Sequence, residues 1–317
     1  MAASQSWRLC ALDNYRHRSR RVPAEDDALL HAVEAAGPGD TIYVAPGVHR
    51  LSRELAITVP VRIMGPSESD PPAVLCSDHH VVLRTRAEAC LQGLTLCRMG
   101  DSVGYPNAVV FAEAGRLTVI SCRITCGGDA PTVEDALRNF DAAPSPGGRS
   151  AYYAASSPME PPIESTAVRT PEAPSASEGR GQDRPQSGLW IGAASQVTLR
   201  DSIIAGTMGP GVKVYRGELE AHSNTIAFSS RGANVVANGG KMLLSGNHIE
   251  GATGDGISSW NNTHMTIEGN RICANTGSGI TINSSGGRVV ITGDNLFLAN
   301  GAHDVHRPSE PILRRTI

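Results

Sequence analysis

The sequence predicts an all-β fold, a right-handed parallel β-helix solenoid with an N-terminal capping helix. Similar phrases begin at Gly188, Gly211, Gly232, Gly256 and Gly279, in steps of 23, 21, 24 and 23 residues. A fixed period of this length is typical of solenoids, in which each repeat buries its apolar face only against its neighbours. Each unit contains short β-branched runs broken by Gly, Asn or Ser, too short for a helix of about ten residues. Crossovers between parallel strands are right-handed in about 98 % of cases, which gives the predicted hand.

The N-terminal end is predicted to be closed by a helix. Residues 1–24 are basic, and we expect them to form a flexible extension. Residues 25–36, EDDALLHAVEAA, have apolar residues at helical spacing, and Gly37 and Pro38 end the pattern. The acids at its start suit the positive end of a helix dipole. Because a stack of coils needs its open end covered, residues 25–128 are assigned to the capping helix and the first coils.

The repeat is interrupted between the first and the later coils. Residues 129–187 are rich in Pro, Ser, Ala and Glu, and they are predicted to form a disordered insertion because they cannot bury a core. We interpret it as a passive loop, with a linker, a modification target or a partner-binding arm as the alternatives. The remaining coils are assigned to residues 188–305. The tail, 306–317, contains two prolines that would discourage further strand pairing.

One position of the repeat forms a column along the stack. It becomes polar toward the C-terminus and reads Leu94, Cys122, Ser202, Asn224, Asn247, Asn270 and Asp294. Asparagine tolerates the backbone of turns, and stacked amides can bond to the coils above and below. We therefore predict a structural ladder made of Ser202, Asn224, Asn247, Asn270 and Asp294, whose role is to hold the turns.

These features resemble a known superfamily. A helix followed by PGDTIYVAPG at 38–47, with GDGI and GSGI turns in later coils, is similar to the pectate-lyase-like β-helices. More narrowly, it resembles the β-helix repeat region of F-box proteins and related eukaryotic scaffold proteins, over residues 25–128 and 188–305. Residues 1–24 are too short for an F-box. The acidic pairs and GHG of polygalacturonases and the DPHE of alginate epimerases are absent, so the resemblance implies the fold and transfers no catalytic residue.

The outward positions of the first strand of each coil predict a binding face. Alternation places the second and fourth residues inward and the third and fifth outward. The outward set contains two of the three tryptophans of the chain and is predicted to bind a ligand through Trp190, Lys213, Tyr215, Asn234, Trp260 and Asn283. Flat rings beside amide and ammonium donors suit a protein segment or a glycan. The alternative is that Trp190 packs under the insertion and Trp260 is an isolated surface ring.

Two functions follow from this face. The first is a non-catalytic recognition scaffold, either alone or as part of a larger assembly. The alternative is a polysaccharide lyase or epimerase acting on acidic polysaccharide, which needs a base and a cation near the substrate carboxylate. The nearest candidates are Asp255, Arg231 and Lys213. An ordinary surface ion pair between Asp255 and Arg231 is the other interpretation.

Composition excludes several classes. A net charge of −3 argues against a nucleic-acid partner, and no apolar run reaches the roughly 20 residues of a membrane span. The seven cysteines fit free thiols in a reducing compartment, and the N-terminus has no signal-peptide pattern. We expect an intracellular, cytoplasmic protein, with organelle targeting by the Arg-rich N-terminus as the alternative. No cofactor is expected, and His222, His248 and His264 do not suggest a metal site.

Overall fold

The computed structural model describes residues 18–67, 69–100, 104–128, 135, 186–283 and 286–307. These residues form a parallel β-solenoid of about 10 turns with one short helix near the N-terminus, so the predicted fold class is confirmed. Most of the predicted insertion and tail, and residues 1–17, lie outside the described residues. No helix in the described part of the chain is long and apolar enough to cross a membrane.

The solenoid has three faces, which come from one 15-stranded and one nine-stranded sheet. The larger sheet contains four long strands that bend from one face of the solenoid to the next. Their first halves pair with one set of short strands and form face one. Their second halves pair with another set and form face two. The long strands are β10 (Ala108–Ile120), β12 (Ser187–Arg200), β17 (Val235–Ser245) and β19 (Ile257–Glu268). The nine-stranded sheet is face three.

The short strands are distributed over the three faces as follows. Face one contains β4 (Leu55–Ile57), β7 (Val81–Thr85), β14 (Val212–Tyr215), β21 (Ile280–Asn283) and β24 (Val305–His306). Face two contains β1 (Ser19–Val22), β2 (Asp40–Val44), β5 (Val61–Met64), β8 (Ala89–Gln92), β15 (Glu218–His222) and β22 (Val289–Ile291). Face three contains β3 (Gly47–Arg50), β6 (Ala73–Ser77), β9 (Leu94–Met99), β11 (Arg123–Gly128), β13 (Ile203–Ala205), β16 (Thr225–Ala227), β18 (His248–Glu250), β20 (Arg271–Cys273) and β23 (Leu296–Leu298).

Stacked aliphatic side chains fill the interior. On face one, successive coils place a fully buried residue at one inward position: Leu83, Val110, Leu189, Val212, Val235, Ile257 and Ile280. Neighbouring strands lie about 4.8 Å apart, so each of these side chains packs on its counterparts above and below. β-Branched residues and leucine suit this position because they fill a pleated, stacked surface without large rings.

The register corrects the predicted repeat boundaries. Leu189, Val212, Val235, Ile257 and Ile280 are partners, so the steps are 23, 23, 22 and 23 residues. The predicted start at Gly232 is wrong by two residues, because Asn234 is the equivalent of Gly211 and Gly256. The coils also resume at Ser187, one residue earlier than predicted, and pairing continues to His306.

The N-terminal end differs from the prediction in two respects. The helix is shorter than the predicted 25–36, and its first turn contains no acidic residue. Helix α1 (Ala28–Glu34) buries Leu29, Leu30 and Val33 against the first coils, as a cap requires. The segment 1–24, predicted to be flexible throughout, is corrected within its described part, because Ser19–Val22 pairs in parallel with β2. The Asp27 carboxylate accepts the backbone N–H of Ser52 at 2.7 Å, which ties the start of the helix to a loop of the solenoid.

The polar column runs along the corner before face three. The backbone N–H of Cys122 donates to Ser202 Oγ at 3.1 Å, and that of Ser202 donates to Asn224 Oδ1 at 3.0 Å. The same bonds join Asn224 to Asn247 and Asn247 to Asn270, each supplemented by a bond between the two side-chain amides.

The last member of this column is Asn295. The backbone N–H of Asn270 donates to Asn295 Oδ1 at 3.0 Å, and the Asn270 side-chain amide donates to it at 3.1 Å. The prediction of Asp294 is wrong by one residue, since its carboxylate is exposed and accepts a hydrogen bond from Thr292 instead. The coil before it is 25 residues long at this corner rather than 24, so a count from the previous asparagine falls short.

Candidate functional site

The outward side chains of face one form two rows across the coils. The first row reads Arg84, Phe111, Trp190, Lys213, Val236, Ser258 and Thr281. The second row, which we call the Tyr215–Asn283 row, reads Tyr215, Asn238, Trp260 and Asn283. Five of the six predicted ligand-binding residues therefore lie on this face, but they are divided between the two rows.

The Trp190 ring in the first row is covered by Phe111 and Lys213 of the same row and by Tyr105 from the segment before β10. This ring is only 7 % exposed. It contacts Tyr105 edge-on at 5.2 Å and Phe111 at 5.8 Å between centroids, and Lys213 Nζ lies 3.9 Å from its centre. A cation over an indole face is a favourable interaction, so Lys213 is already engaged. The expectation that Trp190 offers an open ring to a ligand is corrected, because its faces are covered.

The Tyr215–Asn283 row remains exposed to solvent, with the Arg216 guanidinium over one face of the Tyr215 ring at 5.4 Å from its centre. Tyr215 is 39 % and Trp260 47 % exposed, although most large apolar side chains of the described coils are buried. Asn238 lies between the two rings in the register, and its Oδ1 accepts a hydrogen bond from the Asn261 side chain. Asn283 follows Trp260 on the next coil and is half-buried. The row thus alternates ring and amide at a spacing of about 4.8 Å.

Asn234 does not belong to this face, which corrects its prediction as a ligand-binding residue. It is fully buried at a corner, where its Oδ1 accepts the Ser229 N–H at 3.0 Å and its Nδ2 donates to the Glu250 carbonyl at 2.7 Å. Its place in the row is taken by Val236. Asn238 was missed for the same reason, because the predicted repeat started two residues early in this coil.

The predicted catalytic residues do not assemble. Asp255 Oδ1 accepts the Ser278 N–H at 2.8 Å, which uses the carboxylate to hold a turn. Among the ion pairs of the described residues, none joins Asp255 to Arg231, which is exposed. Lys213 lies over Trp190. The three side chains therefore have separate structural surroundings and form no common acid–base set.

Face two carries a shallow groove of about 430 Å³. Its lining includes Lys241 and His264, which are partners on adjacent strands, and Arg288, which precedes the partner of Met265 on the next strand. Lys241 Nζ lies 3.0 Å from Glu218 Oε1. Three basic side chains on successive coils can neutralise a carboxylate in a groove, and a neutral imidazole can accept a proton. These three residues were not predicted as a row from the sequence.

Face three carries a cluster of His248, Glu250 and Cys273, defined here as the 248/250/273 cluster. His248 Nε2 lies 3.2 Å from Glu250 Oε2 and 3.4 Å from Cys273 Sγ, and Cys273 Sγ lies 3.7 Å from Glu250 Oε2. Hydrogen bonding to Cys273 and Glu250 raises the pKa of His248 to about 9. This set contains ligand types that a transition metal accepts, and it was missed because His248 was considered only with other histidines.

Comparisons with known proteins bear on the fold. Residues 180–313 match a family model described as a right handed beta helix region. No curated protein matches the chain. This match, together with the parallel register of the other described strands, supports the predicted right-handed β-helix fold.

Several solved structures are similar at low identity. A PL6 family alginate lyase, AlyGC, is 12 % identical over 92 % of this chain and 37 % of its own, with a TM-score of 0.49. The pectate lyase Pel9A is 10 % identical over 88 % of this chain and 79 % of its own, with a TM-score of 0.41. The A-module of the mannuronan C-5 epimerase AlgE6 from Azotobacter vinelandii is 13 % identical over 88 % of this chain and 90 % of its own, with a TM-score of 0.36. The chain spans little more than a third of the alginate lyase.

Proposed function

We propose that this right-handed β-helix is a non-catalytic recognition scaffold that binds an extended glycan along the Tyr215–Asn283 row. The observation that supports the proposal is the pair of open rings, Tyr215 and Trp260, separated by one coil that carries Asn238. The two rings lie two strand spacings apart, about 10 Å along the solenoid axis. An extended chain lying along that axis meets ring, amide, ring and amide in turn.

The chemistry of the row suits a sugar chain. Aromatic rings pack against the apolar face of a sugar ring, and amide side chains donate to and accept from hydroxyl groups. The side chains lie on a hydrogen-bonded parallel sheet, so binding a ligand costs little conformational entropy of the protein backbone. A protein segment would need apolar pockets for its side chains, whereas the row offers flat rings beside polar groups.

The test measures retention of the intact protein in gels that contain neutral or acidic polysaccharides. The variant is Tyr215→Ala with Trp260→Ala, and the matched control is Tyr43→Ala, because Tyr43 is a 46 % exposed ring on face two. We expect the double variant to bind at least about tenfold more weakly, with an unchanged melting temperature, because exposed aromatic anchors dominate such interfaces. The control should bind normally.

Two results would overturn the proposal. Retention that is equal in all three proteins would show that another surface binds the polysaccharide. Absence of retention by any polysaccharide, together with capture of a peptide from a displayed library that depends on Trp260, would assign the row to a protein segment instead.

A second function, a lyase or epimerase acting on acidic polysaccharide, is favoured by the groove on face two. In this proposal His264 removes the proton from the ring carbon next to the uronate carboxyl group, while Lys241 and Arg288 neutralise the carboxylate. For a lyase, the glycosidic oxygen on the adjacent ring carbon then leaves with a proton from water and a carbon–carbon double bond forms. For an epimerase, a proton from water returns to the opposite face of the same carbon. The measurement is ultraviolet absorbance of an unsaturated product, or exchange of that proton with solvent for an epimerase. His264→Gln should abolish the signal and His222→Gln should leave it intact. Activity that persists in the face-one variant would establish this function in place of recognition.

A further inference from the structure

We propose that the 248/250/273 cluster on face three is a zinc site, with His248 Nε2, Glu250 Oε2 and Cys273 Sγ as ligands. The inference is independent of glycan binding, because the cluster lies on a different face from the Tyr215–Asn283 row. It depends on three observations: the distances between the ligand atoms, the chemical types of the ligands and the burial of the sulfur.

The distances match the edges of a zinc tetrahedron. Bonds of about 2.1 Å to nitrogen and oxygen and about 2.3 Å to sulfur give ligand–ligand edges of about 3.4 Å and 3.6 Å. The nitrogen–oxygen edge measures 3.2 Å, and the two edges to sulfur measure 3.4 Å and 3.7 Å. One ion therefore reaches all three atoms without a change in the backbone.

The strands hold the three ligands in place. Glu250 and Cys273 are direct partners on β18 and β20, and His248 is two residues before Glu250 on the same face of its strand. Ile249 and Ile272 point into the core between them and are fully buried. Because both strands are anchored by buried side chains and by the adjacent asparagine column, the ligand atoms are positioned before an ion arrives.

The ligand set selects the class of metal. A thiolate with an imidazole and a carboxylate suits zinc or cobalt, whereas calcium and magnesium take oxygen ligands. Cys273 is buried, and His248 and Glu250 are partly exposed, so an ion can enter from solvent. Binding displaces the protons of the thiol and the imidazole to solvent. The thiolate and the carboxylate then balance the two positive charges of zinc. The positive charge of Arg271, the strand partner of His248, would repel the ion and weaken its binding.

Three protein ligands leave the fourth position of the tetrahedron open. A closed set of four is usual in structural zinc sites, and three with an open position are usual where water or a ligand group binds. In the proposed site, a water molecule or an anionic group such as a carboxylate would supply the fourth ligand from the solvent side, where His248 and Glu250 are partly exposed.

The test uses cobalt as a spectroscopic probe in the full chain. The protein is stripped with a chelator and titrated with Co²⁺, and the thiolate-to-cobalt charge-transfer band and the cobalt content are measured. We expect one cobalt per chain, a charge-transfer band, and displacement by Zn²⁺. Cys273→Ser and His248→Gln should lose the band, and the matched control His222→Gln should keep it.

A second measurement covers the case in which a variant fails to fold. Zn²⁺ at about 100 times its Kd should raise the melting temperature of the intact protein by about 5 °C, and by nothing in His248→Gln, which alters the less buried ligand. A band that persists in Cys273→Ser would place the metal at another thiol. No band and no rise in melting temperature in the intact protein would overturn the proposal.

Discussion

Replacing Asn247 by leucine should destabilise the solenoid by interrupting the polar column at its centre. The Asn247 side chain is 1 % exposed and makes four hydrogen bonds. Its Oδ1 accepts from the backbone N–H of Asn224 at 3.0 Å and from the Asn224 amide at 2.9 Å. Its Nδ2 donates to the Ala221 carbonyl at 2.9 Å and to Asn270 Oδ1 at 3.0 Å. Leucine has the same branched arrangement of side-chain heavy atoms with bulkier methyl groups, so the change removes the hydrogen bonds without creating a cavity.

The cost follows from which groups lose their partners. The buried N–H of Asn224 is left without its acceptor, which costs about 1–3 kcal/mol. Asn224 Nδ2 keeps its bond to the Leu199 carbonyl, and Asn270 Oδ1 keeps the backbone N–H of residue 247, so these two groups lose less. Adding about 1 kcal/mol for the broken amide pairs gives a loss of about 3 kcal/mol in the free energy of unfolding.

Urea unfolding followed by circular dichroism measures this loss. Asn295→Leu, at the more accessible end of the column, should cost about 1 kcal/mol because water can reach the exposed donors, and Asn262→Leu on the surface should cost less than about 0.5 kcal/mol. Equal midpoints for Asn247→Leu and Asn262→Leu would refute the reasoning that the column is held by these bonds. A change in the slope of the unfolding free energy against urea concentration would indicate that part of the solenoid unfolds separately.

Two further predictions concern a corner and an ion pair. Gly240 has a φ of +86°, and a Cβ added there would overlap a backbone carbonyl of the adjacent coil. Gly240→Ala should therefore lower the free energy of unfolding by about 3 kcal/mol or more. Gly293→Ala is the control and should be neutral, because no atom lies within 4 Å of a Cβ added there, and thermal melting compares the two variants. Burial raises the pKa of Glu113, but hydrogen bonds from Arg84 and Arg86 outweigh it and hold the pKa below its ordinary 4.5. This contribution to stability is present above pH 4.5 and lost as pH falls through the lower folded-state pKa, so Glu113→Gln should unfold with a shallower acid dependence than the wild type.

The fold was predictable because stacking repeats a physical requirement on every coil. Each coil presents an aliphatic side chain inward, and the later coils also place an asparagine at the same corner, so Asn224, Asn247 and Asn270 recur visibly in the sequence. The second polar column, in which Asn275 bonds to Asn300, was missed although both residues follow face-three strands. The residues at this corner are Thr207, Ser229, Ala252, Asn275 and Asn300, and because they change between hydroxyl, alanine and amide side chains, no repeated residue type reveals the column in the sequence.

The binding face was less predictable because register depends on the corners. The residues after the face-one strands, Arg216, Gly239 and Asn261, all have left-handed backbone, with φ between 55° and 73°. Glycine and asparagine adopt this conformation readily, and a positive φ at arginine is unusual. A prediction that had aligned the coils on these corners, rather than on the glycine before each strand, would have placed Asn238 between the two rings and Asn234 in the interior.

The asparagine column provides the better reference for locating surface chemistry, and the zinc proposal illustrates why. His248 and Glu250 follow Asn247 by one and three residues, and Cys273 follows Asn270 by three. Since the ladder fixes Asn247 above Asn270, Glu250 must lie beside Cys273, and His248 must lie on the same outward face. Along the chain, the three proposed metal ligands are separated by up to 25 positions. When adjacent coils are aligned on Asn247 and Asn270, the same three residues place their ligand atoms within reach of one ion. In this solenoid, ligand spacing should therefore be counted across the stack from the buried asparagine corner, and the spectrum of the cobalt-loaded protein tests whether that count identifies a real site.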